Sequence, residues 1–216
     1  MKKIICALLL TLAAIIPVAA QQQKGDPRSH SIFAFKDFQD AKILQPFGRY
    51  TTAKANILLK NSTLCFMKDG KVMEAFVQNV LGVQFDSIRY MKIDNKQMGR
   101  VVASKGYNYL LSVTTINEKK LRAETTGGDN MPFLDIPDAG AFFELDGQAF
   151  EFDKGYPLTT RYYFNIQGKV IPANESSFKA YVRPEMKSAF KRLMNDKFWS
   201  WNDAASLTQL FTYLPE

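Results

Sequence analysis

Residues 158–173 read LTTRYYFNIQGKVIPA, and this stretch decides the fold class. Residues 158–166 are rich in the β-branched and aromatic side chains that strands prefer. Gln167-Gly168 then separates them from a second strand-like run. Because glycine adopts a positive φ at little cost, such a pair between two strand-like runs predicts a β-hairpin. Residues 107–116, YNYLLSVTTI, have the same texture and predict another strand.

Two more hairpin signals lie outside this stretch. Asp69-Gly70 separates CFMK from KVMEAF, and Asp146-Gly147 separates AFFEL from QAFEF. Further strand-like runs occur near residues 55–59, 87–93 and 99–103. Together these segments predict about eight to ten strands, mostly antiparallel.

The periodicity changes near the C-terminus. From Pro184 onward, apolar residues recur at the spacing of one helix face. The residues that follow this spacing are Met186, Ala189, Phe190, Leu193 and Met194. A second helix is predicted to begin at Asn202 as its cap and to end before Pro215. The sequence therefore predicts an α+β fold: an antiparallel β sandwich or partly closed barrel with two C-terminal helices in segment 184–214.

The first twenty residues have the three parts of a secretory signal peptide. Lys2 and Lys3 precede an apolar run over 4–16, and Val18 and Ala20 form a small-residue cleavage site. We therefore expect a cleaved signal over 1–20 and export to the periplasm, the cell surface or the extracellular space. A polar leader over 21–31 and one domain over 32–216 follow. No later stretch is long and apolar enough to predict a transmembrane segment.

The counts of histidine and cysteine exclude several chemistries. The chain has one histidine, His30, in the polar leader, and two cysteines, one of them inside the predicted signal. A Ser-His-Asp triad, a Cys-His pair or a multi-histidine zinc site needs a histidine held in the fold. Cys65 lies in an apolar run and is interpreted as a small core residue. We therefore predict no cofactor and no metal ion.

Paired carboxylates are the only catalytic candidates. Glu144 and Glu151 flank the Asp146-Gly147 turn and could approach each other on one face, as a glycosidase requires. The competing interpretation is the solvated face of an amphipathic hairpin. Whether the protein is an enzyme stays open at this point, and the residues favour a non-catalytic one.

Aromatic residues are the candidates for ligand binding. Trp199 and Trp201 join the two predicted helices and could stack on sugar rings. Tyr162 and Tyr163 could extend such a platform. The alternative is that both tryptophans pack the helices against the sheet, since Trp buries a large area wherever it packs.

Three functions remain compatible with the sequence. The first is a non-catalytic binding or structural module of the cell envelope, with an envelope protein or a glycan as partner. The second is a carbohydrate-binding or carbohydrate-cleaving protein. The third is a carrier of a lipid-like ligand in a cavity lined by residues such as Phe142, Phe150 and Phe164.

The net charge and the possible modification sites do not distinguish among these three functions. The formal net charge is +7. Export argues against nucleic acid as the partner that this charge attracts. Asn61 and Asn174 lie in N-glycosylation sequons, and Ser87 lies in a tripeptide that some bacteria O-glycosylate in exported proteins. The sequence does not decide these modifications or the oligomeric state.

Overall fold

A computed structural model describes residues 27–75, 79–125 and 153–215. The predicted signal over 1–20 lies outside the described residues, as does the leader up to residue 26. The Asp146-Gly147 hairpin, with Glu144 and Glu151, also lies outside them.

The described strands form one antiparallel sheet. The strands are β1 Arg28–Ser29, β2 Gln39–Leu44, β3 Tyr50–Leu58, β4 Thr63–Lys68, β5 Lys71–Glu74, β6 Gly82–Phe85, β7 Ile88–Lys92, β8 Met98–Lys105, β9 Asn108–Ile116, β10 Tyr156–Ile166 and β11 Lys169–Pro172. The hairpins predicted at Asp69-Gly70 and Gln167-Gly168 connect β4 to β5 and β10 to β11. In both turns the two central residues have positive φ.

The sheet consists of two meanders. One runs through β2–β5 and the other through β6–β11, so most neighbours in the sheet are neighbours in sequence. The meanders meet where β2 pairs with β6 over Lys42↔Gln84, Ile43↔Val83 and Leu44↔Gly82. β1 pairs with β10, so the end of the predicted leader belongs to the sheet. The sheet curls into a half-barrel, which confirms the predicted α+β fold.

Hydrogen bonds across the curl connect strands that are not neighbours in the sheet. The Met98 amide donates to the Ser62 carbonyl at 2.8 Å, and the Ser62 hydroxyl donates to the Met98 carbonyl at 2.7 Å. The Ile116 amide donates to the Leu59 carbonyl at 2.7 Å. These bonds join the β3–β4 turn to the second meander, so the curl is fixed by paired polar groups as well as by side-chain packing.

Three apolar clusters stabilise this arrangement. One lies between the two meanders and includes Ile57, Leu64, Val83, Phe85 and Met98. A second lies between the sheet and the C-terminal helices and includes Leu110, Phe164, Phe178, Phe190 and Phe211. A third surrounds Ile32, Cys65, Leu121 and Tyr156.

Short helices pack against the sheet at the second and third of these clusters. The α-helices are α1 Glu118–Glu124, α2 Glu175–Phe178, α3 Lys187–Met194 and α4 Ala204–Gln209. Short 3₁₀ turns lie at Pro46–Gly48, Lys179–Tyr181, Pro184–Met186 and Leu210–Tyr213. The cap of α4 is Asp203, whose carboxylate accepts from the Ser206 amide at 2.7 Å, and not Asn202 as the sequence pattern predicted. No helix in the described part of the chain has the length and apolar composition that a bilayer span requires.

Candidate functional site

A row of polar side chains crosses four adjacent strands on one face of the sheet. Tyr90 of β7 is the register partner of Arg100 of β8, and Arg100 is the partner of Ser112 of β9. Tyr162 of β10 is the next partner along the row. Opposed residues of antiparallel strands point to the same face, so these four side chains share one surface. We call this set the polar row.

Three members of the polar row line a cavity of about 310 Å³ inside the curl. Its walls come from both meanders, because Ile57 and Leu59 face it from the β3 side. Strands that lie several positions apart in the sheet therefore surround one space. We call this space the inner cavity and the face that lines it the inner face. The volume is at the lower end of the ~300–1,000 Å³ typical of small-ligand sites.

Tyr90 is held firmly at the cavity wall. Only 8% of its surface is exposed, and its ring packs edge-on against Phe85 at 5.9 Å between centroids. Phe35 lies 6.5 Å away on another side. Burial raises the pKa of the Tyr90 hydroxyl, and the positive charge of Arg100 opposes that shift. The phenol is therefore a neutral hydrogen-bonding group at physiological pH, and no described residue hydrogen-bonds it.

Two arginines reach the cavity, and they differ in how their charge is compensated. Arg28 donates to the Glu124 carboxylate at 2.7 Å and to the Gly155 carbonyl at 2.8 Å. Arg100 makes no ion pair or side-chain hydrogen bond with a described residue. No carboxylate is among the described residues that line the cavity. Arg100 is exposed, so its positive charge is accessible to a ligand from the solvent.

Hydroxyl groups complete the lining. Ser112 is half-buried and its hydroxyl has no partner among the described residues. Thr114 shares a 3.0 Å hydrogen bond with Thr160 of β10, where either hydroxyl can donate. The Ser62 hydroxyl already donates to Met98. The described lining thus offers one guanidinium that has no acidic partner, that of Arg100, and several neutral hydroxyls, which suits recognition of a small polar anion.

The predicted aromatic platform is only partly assembled. Trp199 and Trp201 lie together, but their rings are nearly perpendicular, with centroids 4.7 Å apart and an interplanar angle of 86°. Both are half-buried against the helix cluster, and Trp199 Nε1 donates to the Ser206 carbonyl at 3.1 Å. The pair therefore presents no single flat surface, and its contacts help to hold α4 in place.

The two tyrosine candidates lie on opposite faces of the sheet. Tyr162 packs against the same cluster as the tryptophans and ends the polar row. Burial raises the pKa of its hydroxyl, and Asp203 adds to that shift. Tyr163 follows it on the same strand and points to the other face. One of the two tyrosines, Tyr162, thus shares a face with the polar row, but it is not among the residues that line the inner cavity.

The remaining candidates are placed as follows. Phe164 is fully buried between Phe178 and Phe211, so it lines no open space; Phe142 and Phe150 lie outside the described residues. Cys65 is fully buried, and burial raises the pKa of its thiol far above the usual range. The side chain of Asn174 caps α2. In the described ranges, no group of three or more His, Cys, Asp or Glu side chains could hold a metal ion.

Sequence reasoning missed Tyr90, Arg100 and Ser112. Each occupies an ordinary strand position, and nothing local marks it. Their proximity depends on the register of three strands, and no local pattern in the sequence indicated it.

Comparisons with known proteins add no assignment. No protein family matches the chain, and no curated protein or solved structure resembles it significantly.

Proposed function

We propose that the protein is a non-catalytic binding module of the cell envelope, exported through its N-terminal signal, that takes a small polyhydroxylated anion in the inner cavity. The observation that carries this proposal is the uncompensated charge of Arg100 beside the unpartnered hydroxyls of Tyr90 and Ser112. A guanidinium binds a carboxylate through two parallel hydrogen bonds. Neighbouring hydroxyls match the hydroxyls of a sugar, so a uronic acid unit of a glycan is the ligand class that fits.

Binding fits this lining better than catalysis does. The side chains around the inner cavity are arginines, hydroxyl-bearing residues and aliphatic groups. General acid–base catalysis needs a group that exchanges a proton near the working pH. The arginines stay charged and the Tyr90 phenol stays neutral, so these groups orient a ligand without transferring protons to it.

Titration with glucuronate and with glucose tests the proposal. We expect glucuronate to shift the backbone amide NMR signals of Tyr90, Arg100 and Ser112 in a saturable way. Glucose has a hydroxymethyl group in place of the carboxylate and the same ring hydroxyls, so it should bind much more weakly. Equal binding of the two sugars, or glucuronate shifts confined to other residues, would contradict the proposal.

Substitution of Arg100 gives the matched test. A hydrogen bond to a charged group contributes about 1.5–3 kcal/mol, so Arg100→Ala should weaken glucuronate binding by about 10- to 150-fold. Arg192→Ala removes an exposed arginine of α3 that does not line the cavity, and it should leave the affinity unchanged. Circular dichroism of both variants checks that the fold is intact.

A further inference from the structure

A second depression lies on the opposite face of the sheet. We call it the outer groove; its volume is about 610 Å³. Leu44, Met91 and Ile93 alternate with residues of the inner face, so their side chains project outward. Gly82 lies between Leu44 and Met91 in the register and carries no side chain that could fill the space between them.

The floor of the outer groove is apolar. Leu44, Met91, Ile93 and Val170 are half-buried, and Leu81 is 53% exposed. The Leu81 amide donates to the Leu44 carbonyl at 2.8 Å, so the backbone holds these two residues side by side. Exposed apolar surface that lines a depression of this size marks a binding site more often than an isolated exposed leucine does.

The rim is cationic. Arg49 and Arg89 line the outer groove, and no carboxylate is among its described lining residues. Arg89 lies over the ring of Tyr109, 5.6 Å from its centroid, which fixes its position. Neither of the two makes an ion pair with a described residue. An apolar floor with a positive rim is complementary to a molecule that has an apolar tail and an anionic head.

A strained turn adds an independent observation. Phe47 has a φ of 61°, in the left-handed region that disfavours residues with a Cβ, and 95% of its surface is exposed. Its neighbours Gln45, Gly48 and Arg49 all line the outer groove. Backbone strain of this kind is concentrated at functional sites, so an exposed aromatic side chain held by a strained turn indicates that Phe47 contacts a ligand.

We propose that the outer groove binds a single-chain amphiphile with an anionic head group, such as a fatty acid. The tail lies on Leu44, Leu81 and Met91, and Phe47 covers it from the turn. The head group is held by Arg49 and Arg89. This site is separate from the inner cavity and does not depend on the function proposed for it.

A chain-length series tests this proposal. The probes are octanoate, decanoate and dodecanoate as monomers, followed by NMR of the Met91 methyl group and the Gly48 and Gly168 amides. Each added methylene buried in the outer groove should raise the affinity about fourfold. 1-Dodecanol has the same tail without the charge and should bind at least tenfold more weakly than dodecanoate, because its head loses the charge-assisted bonds. The signals of Ser112 and Thr114 should not move, which separates this site from the inner cavity.

Variants separate the tail contacts from the head contacts. Leu81→Asp and Arg89→Ala should each weaken dodecanoate binding at least tenfold. Phe47→Gly relieves the strained backbone, so it should weaken binding while the melting temperature rises. Lys119→Ala, on the exposed surface of α1, is the matched control and should leave the affinity unchanged.

Other results would overturn the proposal. Equal binding of dodecanoate and dodecanol would show that the cationic rim does not select the ligand. An affinity independent of chain length would show that the apolar floor does not hold a tail. Binding to vesicles of anionic lipid without saturable binding of the monomeric acids would make the face a membrane-contact surface instead.

Discussion

Replacement of Asn56 by alanine should destabilise the protein by about 2–3 kcal/mol. Asn56 is fully buried, and its side chain binds the backbone of the segment before β2. Its amide oxygen accepts from the Phe35 amide at 3.1 Å, and its amide nitrogen donates to the carbonyls of Phe35 at 2.8 Å and Asp37 at 3.3 Å. The same amide oxygen also accepts from the Ile57 amide at 2.8 Å. The three bonds to residues 35 and 37, at a net value of about 1 kcal/mol each with the longest being weak, account for this magnitude.

The effect should extend to the inner cavity. The Phe35 ring packs 4.8 Å from the Phe85 ring and 6.5 Å from the Tyr90 ring. Without Asn56 the segment that carries Phe35 is held less firmly, so Tyr90 loses part of its support. We expect Asn56→Ala to weaken glucuronate binding in addition to lowering stability.

Urea unfolding at neutral pH, followed by tryptophan fluorescence and circular dichroism, measures the change in the free energy of unfolding. Asn202→Ala, at an exposed position before α4, is the control and should change it by less than about 0.5 kcal/mol. Asn56→Asp adds a pH test. A buried carboxyl group has a raised pKa in the folded state, so this variant should become more stable as the pH falls towards the pKa of the unfolded chain. A loss below about 1 kcal/mol for Asn56→Ala, or no pH dependence for Asn56→Asp, would refute the reasoning.

Three further predictions concern strain, the thiol and the N-terminal strand. Phe47→Gly should raise the free energy of unfolding by about 1 kcal/mol, because glycine tolerates the positive φ that strains phenylalanine; an unchanged or lower melting temperature would contradict this. Cys65 should not react with a thiol reagent in the native protein, because burial raises the pKa of its thiol. As the pH rises, the thiol ionises in the unfolded chain before it ionises in the folded one. The free energy of unfolding should therefore fall as the pH rises above the pKa of the unfolded thiol. Native reaction at the rate of an exposed thiol would show that Cys65 is accessible. Arg28 holds the pKa of the Glu124 carboxyl below its ordinary value in the folded protein. The pair therefore stabilises the fold at pH values above the pKa that Glu124 has in the unfolded chain. This stabilisation is lost as the pH falls through the pKa that Glu124 has in the folded protein. The Leu158 amide donates to the Pro27 carbonyl, so its hydrogen exchange reports on this edge of the sheet. Arg28→Ala should therefore speed this exchange at neutral pH and much less in acid. Equal exchange in the variant and the wild type at neutral pH would contradict the role of the pair.

The predictable parts of this protein are those that depend on local sequence. Gly70 and Gly168 indicated hairpins because a positive φ is a property of the turn itself. The periodicity around Phe190 indicated a helix for the same kind of reason. β1 was not predicted, since Arg28–Ser29 contributes only backbone hydrogen bonds to β10 and has no strand-like side chains.

The candidate site was less predictable than the fold. Tyr162 was chosen for its aromatic ring, and the structure places it at the end of the polar row. Arg100 was not chosen as a site residue, because its role in the candidate site depends on Tyr90 and Ser112. Only the strand register brings these two residues beside it. Long-range register of this kind leaves no local pattern in a single sequence.

The pairing of β1 with β10 has a consequence for how the chain reaches its native state. Strands β2–β5 and β6–β9 can form by successive zippering of neighbouring strands, which is fast because the loops to be closed are short. β10 follows β9 only after a connection that runs over 117–155. β1 leads the described chain, whereas its partner stands more than a hundred residues later; Arg28 and Gly155 alone are separated by 127 positions. A chain delivered from its N-terminus, by a ribosome or through a pore, therefore presents β1 long before β10 exists. Closure of that edge is the late step of folding, and until it occurs the outer backbone groups near Tyr156 remain open to another strand.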